Sequence, residues 1–340
     1  MRMDDRSSFG PKTGMALLAA LALCAACGDD SSNDPVDTDD PDGGDTDSDT
    51  DTDSDAGTDT DTDTDTDTDT DTDTFDCSTV PETPISIEEL VGPVGYHDVA
   101  FDNEGFIVGS DGYNLLKATP TSDAYVYVAG LSGVQGMDYL PGGDLVAATG
   151  SEGVVRITPF GTRTSIAPSI TGGYGVTVGP DGMVYVGDNY NLYRIDPDTH
   201  ELDTIDSTLA ARDIDFSPDL SVMYIGGFCT GYIWAVEIDE DVNWIGEPEV
   251  FANIPDCCYM DGMGVDICGN MFVASYSTML YRVTPDGVVT SYHTWSGTTY
   301  GHGLDWGSGI GGWDANSLYL SQPYDGNTVV RVEVGAPYRE

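Results

Sequence analysis

One sequence unit recurs six times in this chain, and a chain built this way must form its core between copies of that unit. Residues 174–203, YGVTVGPDGMVYVGDNYNLYRIDPDTHELD, show the unit in full. Residues 175–178 read as a strand, Pro180-Asp181-Gly182 as a turn, and 183–187 as a second strand rich in β-formers. Asn189-Tyr190 turns the chain again, 191–195 reads as a third strand, and 201–205 as a fourth beyond the Asp196-Pro197-Asp198 turn. A lone four-stranded meander exposes both faces and is marginal. Copies stacked on either side bury both.

The copies are present. The small apolar residue that opens each first strand recurs as Val99, Met137, Val176, Ile214, Val265 and Leu304, at intervals of 38, 39, 38, 51 and 39 residues. The second strands match as FIVGS, LVAAT, VYVGD, MYIGG, MFVAS and LYLSQ, and the third as LLKATP, VVRITP, LYRIDP, IWAVEI, LYRVTP and VVRVEV. A period near 40 with four strands per repeat predicts an all-β fold, a six-bladed β-propeller of four-stranded antiparallel blades. The sixth copy stops after its third strand, whereas residues 84–90, PISIEEL, precede the first copy as an orphan strand. Pairing the two predicts that an N-terminal strand closes the ring and removes an exposed edge.

Residues 79–340 form the propeller in this reading, and what precedes them is of another kind. Arg2, Arg6 and Lys12 followed by MALLAALALCAA give a positive start and an apolar run too short to span a bilayer. The run ends in Ala25-Ala26-Cys27, which resembles the lipobox of bacterial lipoproteins and makes Cys27 the expected lipidation site, with residues 1–27 as signal and anchor. Gly28 after Cys27 favours passage to the outer membrane. Residues 28–78 read as a disordered acidic Asp/Thr linker, with 22 Asp and no Lys or Arg between Asp29 and Asp76. From Cys77 onward 36 acidic and 8 basic residues leave a charge of −28, which excludes nucleic acid and anionic lipid as partners of the domain. The membrane enters only through the lipid anchor, in the cell envelope, and the chain is expected to act as a monomer.

Export implies an oxidising compartment, so the cysteines beyond the anchor are expected to pair. Blade geometry puts Cys77 and Cys268 on one face of the disc, which predicts a Cys77–Cys268 bridge. Cys229 lies on the other face with Cys257 and Cys258. It is expected to pair with one of them, Cys229–Cys258 being the choice adopted, with a Cys257–Cys258 bridge as the alternative. Trp234, Trp244, Trp295, Trp306 and Trp313 are expected to fill the layers between blades.

First strands of a propeller line its axis, and ligands sit where those strands begin. The residues two before each opening position are His97, Gln135, Tyr174, Arg212, Met263 and His302, the expected ligand-binding ring, with Asp261 slightly higher in the fifth blade. Blades five, six and one are contiguous once the ring closes. Asp261, His302 and His97 can therefore converge, and two imidazoles with a carboxylate can hold a divalent metal with open positions. Tyr174 and Arg212 then read as a proton donor and an anion clamp.

The stretch from Asp261, DGMGVDICGNMFVAS, resembles the Asp-Gly-Met segment of the gluconolactonase and regucalcin family of six-bladed propellers. The resemblance implies that Asp261 is a metal ligand and a catalytic base. Arg212 stands where that family has a liganding Asn, Tyr174 where it has a second one, and Glu88 and Glu89 fall too early to match its N-terminal Glu. The ring also resembles NHL-type amidating lyases, whose channel holds a histidine-bound zinc. The leading expectation is a lipoprotein whose propeller binds a small molecule, a sugar or a protein loop at its funnel, with no cofactor required. The alternative is a lactonase-like hydrolase or a lyase using Asp261 with calcium, zinc or manganese. A further alternative is an adhesive or scaffolding propeller acting through residues 239–249, and whether the protein is an enzyme stays open at this point.

Overall fold

The computed structural model describes residues 75–90, 92, 94–121, 123–255, 259–275, 278–296, 301–323 and 326–339. The expected signal peptide, the lipidation site Cys27, nearly all of the Asp/Thr linker, and Cys257 and Cys258 lie outside them.

Six four-stranded antiparallel sheets follow one another along the chain, and the sixth takes its outer strand from the N-terminal side. The inner strands are Val99–Phe101, Val134–Tyr139, Val176–Val178, Ala211–Phe216, Met260–Val265 and Leu304–Trp306. Strand Ser86–Leu90 pairs antiparallel with Thr328–Glu333, in register from Ser86 opposite Glu333 to Leu90 opposite Val329. The segment 84–90, through Ser86–Leu90, thus does close the ring, and it covers the edge that the third strand of the last blade would otherwise expose.

Each sheet alternates its side chains between two faces, and each face meets the next blade. The result is one apolar cluster per interface. Between blades one and two, Val108, Leu115, Met137, Leu145 and Ile157 pack together; between blades six and one, Val99, Ile107, Trp313 and Tyr319 do so. Trp306 and Trp313 are buried in these layers, and Trp234, Trp244 and Trp295 are half-buried against them. The core is therefore six seams around an axis, and the axis itself is left to polar side chains.

A disulfide joins Cys77 to Cys268 across 191 residues, fastening the segment before the closing strand to the first turn of blade five. Cys229 is also disulfide-bonded. Cross-linking so distant a pair restricts the unfolded chain strongly, and such bridges typically contribute about 2–4 kcal/mol. Replacing Cys77 and Cys268 together with serine should lower unfolding stability by about that amount in a urea melt. An unchanged midpoint would mean that strand pairing alone holds the closure.

Candidate functional site

One residue of each blade stands at the level where the inner strands begin: His97, Gln135, Tyr174, Arg212, Asp261 and His302. Backbone bonds between neighbouring blades define this level. The amide of Gly175 donates to the Arg212 carbonyl at 2.8 Å, and that of Gly303 to the His97 carbonyl at 2.7 Å. Asp98, just before Val99, accepts the amide of Met137 at 2.9 Å, and Asp213, just before Ile214, accepts that of Met263. Met263 therefore corresponds to Met137, and the blade-five member of the ring is Asp261. The repeat aligned on Val265 runs two residues too far, because the longer connection before blade five hides the register. Met263 packs in the seam between blades four and five and lines the channel wall below.

Three ring residues sit on irregularities of their inner strands, where one extra residue re-aims a side chain. The register slips between Ala211 and Asp213 at Arg212, between Met260 and Gly262 at Asp261, and between Val134 and Met137 around Gln135. Arg212 donates to Asp261 Oδ1 through Nε at 2.6 Å and also through Nη2. Its Nη1 donates to Asn189 Oδ1 at 2.8 Å. Asn189 is buried in the left-handed region at φ 75°, held there by its own amide on the Ala211 carbonyl at 2.9 Å. The sequence reads Asn189 only as a turn residue. The Arg212 guanidinium lies 3.9 Å from the Tyr174 ring centroid, 5.0 Å from Tyr259 and 5.4 Å from Phe228, so aromatic faces enclose the charge.

On the other side of Asp261 stand the two histidines. His302 Nδ1 lies 3.4 Å from Asp261 Oδ2, and the His97 and His302 rings meet edge to face with centroids 4.9 Å apart. One ligand atom from each of His97, Asp261 and His302 can be chosen so that all lie within 4.8 Å of one another. His97, Asp261, His302 and Arg212 are all buried. Among the described residues, His97 Nδ1 and Asp261 Oδ2 are shielded from solvent with no hydrogen-bond partner.

The charges suit a cation ligand set. Burial, then the neighbouring His302, pushes His97 down to about 3, with Arg212 adding to the effect and Asp261 opposing it. Burial likewise lowers His302. Both rings are neutral at pH 7 and keep a lone pair for a metal. Burial alone would raise Asp261, but Arg212 above all brings it below the ordinary carboxylate value, so it stays ionised. Two neutral imidazoles and one carboxylate oxygen, with His97 Nδ1 and Asp261 Oδ2 buried and unpartnered, fit a divalent metal that prefers nitrogen. They do not fit calcium, which takes six to eight oxygens.

Below the ring runs a cavity of about 370 Å³, whose walls include Asp98, Asp138, Asp213, Asp215 and Asp305. Each of these carboxyl groups reaches across a seam to the backbone of the next blade. Asp138 accepts the Val178 amide at 2.6 Å, Asp215 the Val265 amide at 2.7 Å, and Asp305 that of Phe101. The segment 336–339 crosses the far end: Trp306 Nε1 donates to the Ala336 carbonyl, and the Ile267 amide to that of Pro337. Tyr338 donates its hydroxyl proton to Asp215 at 3.0 Å, and Arg339 pairs with the same carboxylate. Neither the carboxyl layer nor Arg339 belongs to the ring expected from sequence. The signal was there, as MDY, IDF and LDW at the same place in blades two, four and six.

Residues 171–297, which carry Tyr174, Arg212 and Asp261, match the family described as SMP-30/Gluconolactonase/LRE-like region. No curated protein matches the chain significantly. Among solved structures, a gluconolactonase from Xanthomonas campestris is 17% identical with TM-score 0.61, over 72% of this chain and 89% of that one. The calcium-binding protein regucalcin from Agrobacterium tumefaciens is 16% identical with TM-score 0.58, over 76% and 96%. A catalytically inactive histidine-to-alanine variant of virginiamycin B lyase from Staphylococcus aureus, solved with quinupristin, is 12% identical with TM-score 0.53, over 73% and 99%. At these identities the likeness establishes a shared six-bladed fold.

Proposed function

We propose that the protein binds a small molecule at the level of this ring, over a divalent transition-metal ion held by His97, Asp261 and His302. The observation that carries the reading is the convergence of three ligand atoms from three contiguous blades within 4.8 Å, in a group where His97 Nδ1 and Asp261 Oδ2 are buried without a hydrogen-bond partner. Buried polar atoms are ordinarily satisfied, so such a pair marks a place made for something else. When bound, the ion would offer a ligand oxygen or nitrogen a Lewis-acid contact. Arg212 keeps Asp261 ionised and aimed, and Tyr174 borders the channel beside it. Export to the cell envelope and lipid anchoring at Cys27 are part of the same proposal. They rest on the N-terminal sequence, and the Cys77–Cys268 bond is in keeping with an oxidising compartment.

A second reading makes the site a metal-dependent hydrolase or lyase with Asp261 as base. The family match over residues 171–297 favours it, since that segment holds Asp261. Against it stands the engagement of Asp261 Oδ1 by Arg212, which leaves one oxygen to serve both metal and proton. Protein purified without chelator should carry, or take up, one zinc or cobalt ion per chain, as read by elemental analysis. Asp261→Asn should abolish this and also lower the melting temperature, because buried Arg212 loses its counter-charge, whereas His97→Gln should abolish it with the Arg212–Asp261 pair intact. Absence of any metal uptake by the parent would overturn the metal-centred binder. Turnover of a sugar lactone that is lost in Asp261→Asn would instead select the hydrolase.

A further inference from the structure

We infer that Arg212 is the specificity-determining residue of the centre, turning it away from calcium and toward metals that prefer nitrogen ligands. The inference rests on the metal reading of His97, Asp261 and His302, and deepens it.

Arg212 occupies one of the two carboxylate oxygens of Asp261. Both of its donors to Asp261 fall on Oδ1, which leaves Oδ2 as the one carboxylate oxygen that faces His302. A metal in this centre therefore meets the carboxylate through a single oxygen. Calcium commonly uses both oxygens of a carboxylate and needs several more oxygen donors, so this loss falls on it first. Zinc or cobalt needs three protein ligands and accepts two imidazoles readily, so the same loss costs it little.

Arg212 cannot swing aside to release Oδ1. Its Nη1 is held by Asn189, its face lies against Tyr174, and Tyr259 and Phe228 stand close around it. Asn189 is itself pinned in a left-handed conformation by the Ala211 carbonyl. A planar guanidinium gripped on this many sides loses little entropy in making its bonds and keeps one orientation. The guanidinium charge also opposes every dication nearby. Strong imidazole bonds offset that repulsion for zinc or cobalt, whereas calcium has no comparable gain from nitrogen.

The test is a competition between cobalt and calcium. Cobalt binding to the full chain is followed by its visible absorption, then challenged with calcium, in the parent, in Arg212→Met and in Asn189→Gly. Methionine keeps the apolar stem against Tyr174 and removes the charge. Glycine keeps the left-handed backbone and removes only the amide that holds Nη1. The parent should bind cobalt and resist calcium. In Arg212→Met the ratio of cobalt to calcium affinity should fall by about 10–100-fold, the usual scale for a residue that orients a ligand. Asn189→Gly should move it the same way by less, which keeps the idea testable if the methionine variant fails to fold. A parent that binds calcium as tightly as cobalt, or variants with unchanged selectivity, would overturn the inference and leave the metal centre standing. A parent that binds neither ion overturns both.

Discussion

Gly136→Ala should cost the propeller at least about 3 kcal/mol and lower its melting temperature by about 6 °C or more. A Cβ at this position would lie 2.1 Å from the Tyr174 carbonyl oxygen, 2.6 Å from the Val176 amide nitrogen and 2.9 Å from the Gly175 carbonyl carbon. All three are backbone atoms of the next blade, so no rotamer change relieves the contact. Blades two and three would have to part by more than an ångström. In a closed ring that displacement spreads through every other seam, and well-packed seams resist it. The same change at Gly142, in the turn of the same blade, meets no atom within 4 Å. There the effect should stay within about 1 kcal/mol and could be stabilising, because alanine restricts the unfolded chain. Thermal melts of the two variants side by side check this. Equal melting temperatures would show that the inner strands are not in close contact at this level.

The contrast between these glycines also marks what sequence conveys about this fold. The blade count, the four strands per blade and the closing role of residues 84–90 were all legible, because each depends on local β-pattern repeated at one period. Closure followed from counting strands: the sixth copy lacked one and the N-terminus had one to spare. The ring was legible in five of six blades. It slipped in blade five, where Val265 looks as good an opening residue as Met263 and only the Asp213–Met263 contact between blades decides. Pairing partners within the ring were not legible at all. That Arg212 would reach Asp261 rather than a ligand depends on two strand irregularities and on Asn189 in a left-handed turn. No periodicity encodes those. The channel carboxyls are the reverse case. Asp138, Asp215 and Asp305 recur in the same apolar-Asp-aromatic triplet in alternate blades, yet each looks like an ordinary surface acid until the axis is seen to be lined with them.

Those carboxyls set the second large effect: stability should fall as pH rises from about 4 toward 8. Burial is the main cause that pushes Asp213 up to about 8 and Asp138 up to about 6, and it holds Asp98 and Asp305 well above the ordinary value. Neighbouring acids add to it: Asp215 and Asp261 act on Asp213, and Asp213 and Asp305 on Asp98. A folded-state pKa above the unfolded one means that the folded chain binds the extra proton. The stabilisation is complete below about pH 4, where both states are protonated, and is lost as pH climbs through each folded value. Asp261 works oppositely, since its folded value is depressed, but its contribution is complete above pH 4 and adds no slope in this window. His97 and His302, also depressed in the fold, do oppose the trend up to about pH 6.5, where the unfolded imidazoles still bind protons, so the steepest net loss falls above that pH. Each raised group removes about 1.4 kcal/mol per pH unit while it is protonated folded and ionised unfolded. Asp213→Asn takes one such group out, so its stability should decline less steeply between pH 5 and 8, and it should overtake the parent near the upper end. Urea melts at half-unit pH steps would show this as two lines that converge and then cross. A parent whose stability is flat or rising between about pH 6.5 and 8, above the range of the histidines, would mean the channel acids are ionised, and then six like charges, Asp261 included, would crowd an axis with only Arg212 and Arg339 to balance them. Holding several of these acids neutral is what lets each brace the next blade without repelling the others.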